Sequence, residues 1–287
     1  MSLPHGLSLR TADPTDMAAI GDMREQVGWS THEWALRLAI EPANARCYVV
    51  ETGDKRLVAV GSGVAYAPLG LVGNMIVVED QRRRGIGGVV LKAVIGFLEG
   101  ASCTRLELFA TDQGRPLYAS HGFDPIEPGS LARLPRGLPI TSADGLLVTD
   151  ADATVLDRLA AYDTPRFGGA RVPLLQAMVT DSTRPTLVAT RGEEVVGYGW
   201  LRVDAERIGP WLADAPEVAE TILAEALRRV PDRDALTANI PISNRRGVEW
   251  LRGLGVVPDP WDVRMARGAP VPRREDAIYG NSVGALG

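Results

Sequence analysis

The segment from Val89 to Leu98 restricts the fold more than any other, because Lys92 is its only charged residue and nearly all the others are apolar. A helix that is apolar on almost every side must be buried, so we expect it to lie across a sheet. It follows the strand-like run Leu71–Val78 and a turn with the sequence Arg82-Arg83-Arg84-Gly85-Ile86-Gly87-Gly88. The chain is therefore expected to contain a strand that leads through a turn rich in glycine and arginine into a buried helix.

Apolar and alternating runs in the rest of the first half predict strands, with helical patterns between them. Two helical patterns, Pro14–Val27 and Thr31–Leu38, follow the first strand, and Asp13 is placed as the N-cap of the first pattern. A strand at Arg105–Ala110 and a short helix at Gly114–His121 come after the buried helix. The first half is therefore expected to form a mixed, largely antiparallel sheet flanked by helices, which is an α/β (α+β) fold.

The second half repeats this order of elements, which indicates two copies of one fold in tandem. Residues 131–144 are rich in proline and glycine and predict a linker between the copies. In the second copy, Ile208–Asp214 is interpreted as the turn that precedes a long helix at Ala215–Arg229. The expected organisation is a first domain at 1–130, a linker at 131–144, a second domain at 145–268 and a C-terminal tail at 269–287.

The composition argues against several classes of function. The formal net charge is −5, with 31 basic and 36 acidic residues, whereas nucleic-acid binders need a basic surface. No run approaches the roughly 18 apolar residues of a membrane span, and the first residues lack the pattern of a signal peptide. Cys47 and Cys103 predict neither a disulfide framework nor a zinc site. We therefore expect a cytoplasmic protein that holds no metal and binds neither nucleic acid nor membranes.

The turn before the buried helix has the features of a phosphate-binding site. The first N–H groups of a helix lack partners within the helix, the helix dipole favours negative charge, and glycine lets the backbone approach a ligand closely. Three consecutive arginines add positive charge. The turn lacks the Gly-Lys-Ser/Thr of a P-loop, and its strand follows an antiparallel meander, where a dinucleotide-binding fold would begin with that strand. On this feature alone a solvated basic turn remains an equal alternative.

Two motifs in succession resemble the GCN5-related N-acetyltransferase (GNAT) superfamily. The first is Arg82-x-x-Gly85-x-Gly87 after the strand Met75–Val78, and it is similar to the family's (Gln/Arg)-x-x-Gly-x-(Gly/Ala). The second is Leu117-Tyr118-Ala119-Ser120-His121-Gly122-Phe123, similar to the family's Leu-Tyr-x-x-x-Gly-Phe. The resemblance covers about residues 7–130. It implies a tandem GNAT fold and an acetyltransferase that uses acetyl-CoA.

The resemblance also implies where acetyl-CoA, and hence coenzyme A, would bind. Its pantetheine arm would pair with the backbone near Ile76 and Val77, in a V that opens towards the strand Arg105–Ala110. A backbone amide of that first strand would stabilise the developing oxyanion. The pyrophosphate would lie on the turn, which contributes Arg82, Arg83, Arg84, Gly85, Ile86, Gly87 and Gly88.

Tyr118 resembles the general acid of the family. An unperturbed tyrosine has a pKa of about 10 and keeps its proton at neutral pH, so it can protonate a departing thiolate. The alternative is that Tyr118 only packs or hydrogen-bonds the cofactor sulfur. No general base stands out, because the strand holds no acid before Glu79. Open alternatives are a water relay, an amine that arrives neutral, or one of Glu25, His32, Glu33 and His121.

The segment Val27–Trp34 lies where the family places its substrate-facing helices. Trp29, His32 and Glu33 are the candidate residues for the acceptor substrate. The two tryptophans, Trp29 and Trp34, are either a wall of the acceptor site or hydrophobic cover for the sheet. Both interpretations stay open from the sequence.

The second copy has the frame of the first without its chemistry. Gly247 matches Gly114, and Leu251 stands where Tyr118 stands, although leucine cannot donate a proton. Its turn Ile208–Asp214 lacks Arg-x-x-Gly-x-Gly, and its proline has no N–H. We therefore interpret the second copy as a degenerate domain that closes the acceptor pocket or forms a homodimer. Its Arg166 and Arg171 are expected to contact an acidic substrate or to form salt bridges, and the apolar Ile278 and Tyr279 favour a docked tail.

The leading hypothesis is an N-acetyltransferase that transfers an acetyl group from acetyl-CoA to a primary amine of a small molecule. A non-catalytic acyl-CoA-binding sensor would keep the arginine turn and lose turnover. A protein acetyltransferase acting on lysines or N-termini would need an open acidic groove for a polypeptide.

Overall fold

The computed structural model describes residues 2–230, 235–282 and 286, and within it the chain forms two compact units. The first unit comprises the residues up to Ile126, Arg264–Val271 and Leu286. The second comprises Glu127–Val263 and Pro272–Ser282. Residues 283–285 and 287 of the expected tail lie outside the described residues.

The first half of the chain contains five strands and four helices among the described residues. They are β1 (Leu7–Thr11), α1 (Met17–Gln26), α2 (Glu33–Ile40), β2 (Ala45–Thr52), β3 (Leu57–Tyr66), β4 (Leu69–Val77), α3 (Ile86–Gly100), β5 (Arg105–Ala110) and α4 (Arg115–Ala119). Strands β1 to β4 pair antiparallel in chain order, and β5 joins β4 in parallel. This arrangement confirms the mixed, largely antiparallel sheet with flanking helices.

The rest of the chain adds eight strands and four helices to the described structure. They are β6 (Asp124–Pro135), β7 (Leu147–Asp150), α5 (Leu156–Phe167), α6 (Val172–Thr180), β8 (Thr186–Arg191), β9 (Glu194–Arg202), β10 (Arg207–Ala213), α7 (Pro216–Arg228), β11 (Ala235–Asn239), α8 (Arg245–Gly253), β12 (Asp259–Arg267) and β13 (Ile278–Gly280). In the second unit the strand order is β6-β11-β10-β9-β8-β7, and β13 pairs with β10.

Helix α3 lies directly on the sheet of the first unit because glycines of β3 leave room for it. A Cβ atom at Gly61 would come within 2.6 Å of Val90 Cγ1, and one at Gly63 within 3.0 Å of Val94 Cγ1. Val90 and Val94 are fully buried. The prediction of a buried helix across the sheet is therefore confirmed. In the second unit, α7 lies over glycines of β9 in the same way.

Charged groups fasten β1 to its neighbours. Arg10 donates two hydrogen bonds to the carboxylate of Asp16, at 2.7 and 2.8 Å, and its Nε donates to Glu51 Oε2 on β2 at 2.9 Å. The hydrogen bonds from Arg10 lower the pKa of Asp16. Asp16 also accepts from the backbone N–H of Asp13, whose own side chain caps the short turn before α1. The expected N-cap role of Asp13 is therefore present in the structure.

The segment interpreted as a turn at Ile208–Asp214 is largely strand β10, so that interpretation is wrong. Gly209 and Pro210, the residues that favour a turn locally, lie at a bulge between two stretches that both pair with β9. All residues from Ile208 to Ala213 are buried. Glycine and proline are compatible with a strand where a bulge interrupts its ladder.

The domain boundaries of the structure differ from the expected ones at two places. Leu131–Pro135, expected to begin the linker, form the end of β6 and pair with β11. The end of β12, expected in the second domain, belongs to the first unit together with the residues up to Val271. Long-range strand pairing therefore overrides the local proline and glycine signals.

A buried polar cluster joins α5, α6 and β9 in the second unit. Arg171 donates to both carboxylate oxygens of Asp163, at 2.6 and 3.1 Å, and the hydroxyl of Tyr198 donates to the same carboxylate at 2.5 Å. Arg171 is 1% exposed and Asp163 is fully buried. Burial raises the pKa of Tyr198. Of the two alternatives for Arg171, the structure shows the salt bridge, and Arg166 likewise pairs with Asp214 at 2.6 Å.

Cys47 and Cys103 are both buried, and both are free thiols. Burial raises the pKa of Cys47 to about 12 and also raises the pKa of Cys103. Among the residues that the structure describes, no cluster of His, Cys, Asp or Glu has the arrangement of a metal site. None of the helices in this part of the chain is long and apolar enough to cross a membrane.

Candidate active site

The site lies in the first unit, where β4 and β5 separate. The two strands pair in parallel over Leu69–Leu71 and Arg105–Glu107. Beyond this stretch β4 continues to Val77, and a cavity of about 830 Å³ lies between the strand ends. The cavity is lined by residues of the α1–α2 loop, β4, the arginine turn, the start of α3, the end of β5 and α4: Val27, Trp29, Met75, Ile76, Val77, Glu79, Gln81, Arg82, Arg83, Gly85, Ile86, Gly87, Gly88, Phe109, Thr111, Gln113, Gly114, Leu117 and Tyr118.

A β-bulge in β4 sets the direction of the strand where it lines the cavity. The register against β3 shifts between Gly73 and Ile76, and Asn74 has a φ of 53°. The side chain of Asn74 donates to Ser62 Oγ at 2.9 Å and accepts a hydrogen bond from Arg24. Bulges re-aim a strand near functional sites. Asparagine adopts a positive φ more readily than most residues, so Asn74 is the sequence signal for this bulge, although neither GNAT motif includes it.

The arginine turn and the start of α3 line the cavity. Gly85 has a φ of 79° and directly precedes the first residue of α3, so the amides of Ile86, Gly87 and Gly88 lie at the helix N-terminus. Arg82 Nε donates to the carbonyl oxygen of Val77 at 2.9 Å, which ties the turn to the end of β4. A Cβ atom at Gly87 would lie 3.4 Å from the nearest side chain.

The charges of the turn are unevenly placed around the cavity. Arg82 and Arg83 line it, and so does the carboxylate-bearing Glu79. Arg84 is exposed, donates a hydrogen bond to Gln81 and is absent from the lining. The structure therefore brings eight of the nine expected cofactor-binding residues to one cavity and leaves Arg84 outside it.

Tyr118 lies on α4 at the same cavity and is 7% exposed. Its ring meets the ring of Phe123 edge-on, with 6.1 Å between centroids. A Cβ atom at Gly114 would be only 3.0 Å from the Tyr118 ring, so the glycine lets the ring lie against the helix. The N–H of Gly114 in turn donates to Thr111 Oγ1 at 3.2 Å. These contacts fix the position of the ring in the cavity wall.

The candidate acceptor residues do not come together. Trp29 lines the cavity, and the guanidinium of Arg24 lies over its ring at 5.6 Å. His32 instead stacks on Trp34 with 5.9 Å between ring centroids, and Glu33 forms an ion pair with an arginine one turn further along α2. Neither His32 nor Glu33 is among the lining residues.

A strand pair that separates beside a helix N-terminus, with a tyrosine lining the same cavity, is the arrangement of the GNAT fold. Two family models, both described as an acetyltransferase (GNAT) domain, match residues 43–125 and 159–280. The chain is therefore a tandem member of the GNAT superfamily and an acyltransferase.

Several known proteins are similar to this chain. A Bacillus subtilis protein named as the uncharacterized N-acetyltransferase YitH is 27% identical over 204 residues, which are 69% of this chain and 70% of that protein. The crystal structure of a putative acetyltransferase from Pyrococcus horikoshii has a TM-score of 0.80 at 23% identity and covers 100% of this chain and 98% of its own. A tandem GNAT protein from the clavulanic acid biosynthesis pathway has a TM-score of 0.63 at 15% identity, and the match covers 92% of this chain and 99% of that protein's chain. The two solved structures share the tandem fold.

Proposed function

We propose that the first unit binds acetyl-CoA in the cavity between β4 and β5 and transfers the acetyl group to a primary amine of a small molecule. GNAT acetyltransferases in general use acetyl-CoA and act on amines. The observation that carries the proposal is that the arginine turn at a helix N-terminus and Tyr118 line one and the same cavity.

The turn fits the pyrophosphate of coenzyme A. The amides of Ile86, Gly87 and Gly88 lie at the positive end of the helix dipole, and Arg82 and Arg83 add two guanidinium groups. Glycine at position 87 leaves the backbone open to close approach. A pyrophosphate there would place the pantetheine arm along Ile76 and Val77.

The reaction follows from Tyr118 and the backbone of β4, which also line the cavity. The amine nitrogen attacks the thioester carbonyl carbon, and the C–S bond breaks as the amide forms. The departing thiolate takes the hydroxyl proton of Tyr118, which is replaced from solvent, and the nitrogen releases its extra proton to water. A backbone N–H of β4 donates to the carbonyl oxygen while negative charge develops on it.

The walls of the cavity support a small acceptor with an apolar part. Val27 and Trp29 form an apolar wall beside the strand. An amine with an apolar or aromatic body would bury that body against this wall.

The test is release of coenzyme A from acetyl-CoA by the purified protein in the presence of a panel of primary amines, with lysine-containing peptides as a parallel set. We expect release that depends on a small amine and a product that is its N-acetyl derivative. Binding of acetyl-CoA without release for any acceptor would identify the sensor instead. Acetylation of peptides alone would identify a protein acetyltransferase, and no binding would refute the proposed cofactor site.

The homodimer and the cytoplasmic location expected from the sequence stay predictions. Light scattering of the purified protein measures its mass in solution and tests the first. Fractionation of cells that produce the protein tests the second.

A further inference from the structure

The two units carry a β-bulge at corresponding places. In β4 the bulge directly precedes Ile76, and in β10 it directly precedes Trp211. In both strands one extra residue is accommodated against the antiparallel neighbour. Aligning the bulges places Trp211 and Leu212 of the second unit where Ile76 and Val77 stand in the first.

The helices α4 and α8 also correspond between the units, because the start of each is capped in the same way. The N–H of Gly114 donates to Thr111 Oγ1 at 3.2 Å, and the N–H of Gly247 donates to Asn244 Oδ1 at 2.8 Å. The same backbone position is therefore capped by a polar side chain three residues earlier in each unit. In the first unit these groups border the cavity.

In the second unit, the cleft beside β10 corresponds to the cavity beside β4, and it holds the C-terminal part of the same chain. Strand β13 pairs antiparallel with β10, with Gly280 opposite Trp211 and Ile278 opposite Leu212. Asn281 donates its backbone N–H to the carbonyl oxygen of Asn239 on β11 at 2.8 Å. The segment is therefore hydrogen-bonded to both strands, β10 and β11.

The N-cap residue of α8, Asn244, also binds this segment. Asn244 uses its amide oxygen for the helix and its Nδ2 for the carbonyl oxygen of Ile278, at 2.9 Å. Tyr279 is 1% exposed and packs against Trp211 and Trp250, with ring centroids 5.5 and 5.8 Å away. Backbone, cap and aromatic contacts thus act on three successive parts of the segment.

We propose that this cleft is a peptide-binding site of the strand-addition type, and that residues Ile278–Asn281 are its ligand, bound in cis. The peptide takes the course along β10 that corresponds to Ile76 and Val77 in β4. Strand addition uses main-chain hydrogen bonds for affinity and side-chain pockets for specificity. The inference goes beyond acetyl transfer and rests on the contacts within the second unit.

The pockets define the peptide that fits. An aromatic residue packs against both Trp211 and Trp250, whose own rings meet edge-on with 6.1 Å between centroids, and the next residue must be small. A Cβ atom on Gly280 would lie 3.0 Å from the carbonyl oxygen of Ile208 and 3.3 Å from Trp211 Cβ. The site therefore takes an extended peptide in which an aromatic residue is followed by glycine.

The test separates the ligand from the site. A chain that ends at Asp276 is titrated with a fluorescent peptide of residues 277–287, and circular dichroism confirms that the shortened chain is folded. We expect saturable binding of one peptide per chain, at least about tenfold weaker binding of the peptide with Gly280→Val, and no binding to the full chain. The proposal is overturned if the shortened chain is folded but does not bind the peptide, or if it binds the wild-type and Gly280→Val peptides equally.

A second measurement on the full chain decides the matter if the shortened chain does not fold. Amide hydrogen exchange of the segment 278–281 is followed in the wild type, in Gly280→Val and in Gly137→Val. Gly137 is the matched control because it is exposed and an added Cβ would meet no atom within 4 Å. We expect protection that falls about tenfold or more only in Gly280→Val. An unprotected segment in the wild type, or equal protection in Gly280→Val, overturns the proposal.

Discussion

Replacing Tyr118 by phenylalanine removes one hydroxyl group from the cavity wall and keeps the ring. The ring contact with Phe123 and the close approach of Gly114 involve carbon atoms, so both remain in the variant. Loss of the hydroxyl should cost about 1 kcal/mol of folding stability or less. The variant is therefore expected to fold and to present an otherwise unchanged cavity.

The expected effect falls on the chemical step. A positioned general acid contributes about 10²- to 10⁴-fold to the rate, so kcat should fall by that factor, or about 3 to 5 kcal/mol in activation free energy. Affinity for acetyl-CoA should change little, because the arginine turn and the amides of α3 are untouched. A fall in kcat with nearly constant affinity is the signature of an interaction made in the transition state.

The assay follows coenzyme A release at saturating amine, and titration calorimetry gives the affinity for acetyl-CoA. Tyr48→Phe, on β2 and outside the cavity lining, is the matched control and should keep the wild-type kcat. A kcat for Tyr118→Phe within about twofold of the wild type would refute the acid role. A large loss of acetyl-CoA affinity with unchanged kcat would show that the hydroxyl only binds the cofactor.

Three further predictions concern the scaffold. Arg171→Leu should destabilise the chain by about 3 to 5 kcal/mol in urea unfolding, because it leaves the buried carboxylate of Asp163 without its partner. Adding Asp163→Leu should recover much of the lost stability. A cost of Arg171→Leu below about 1 kcal/mol contradicts this prediction. The pKa of Asp16 in the folded chain lies below its ordinary value of 3.8. The contribution of Asp16 to folding stability is therefore complete above pH 3.8 and is lost as the pH falls through the folded pKa. The unfolding free energy of Asp16→Asn should depend less on acid pH than that of the wild type. Burial that raises the pKa of Cys47 to about 12 keeps its thiol protonated, so a thiol reagent at neutral pH should label it only after urea is added, and labelling of the native chain would count against the structure.

The local motifs predicted most of the candidate site because they fix backbone geometry over a few residues. Gly85 allows the left-handed conformation before α3, and Gly87 allows close approach at the helix start, so both are readable from the sequence. The same holds for Tyr118, which lies on α4 within the second motif, one turn after Gly114. Periodicity predicted α3 in the same way, because an apolar helix has to be buried.

Other features were not readable from the local signals. His32 and Glu33 were expected at the acceptor site, but their side chains contact Trp34 and Arg37 instead. Gly209 and Pro210 gave a turn signal that strand pairing overrides as a bulge. Tail docking was expected from apolar residues, whereas its place in a cleft depends on partners far away in the sequence.

The central claim is that the chain has one acetyl-CoA site, in the first unit. Isothermal titration with acetyl-CoA tests it, using the wild type, Gly87→Phe and Gly96→Phe. Gly96 is exposed on the same helix, and an added Cβ there would meet no atom within 4 Å, so it is the matched control. We expect one molecule bound per chain by the wild type and by Gly96→Phe, and none by Gly87→Phe. No binding by the wild type, two molecules per chain, or undiminished binding by Gly87→Phe would contradict the claim.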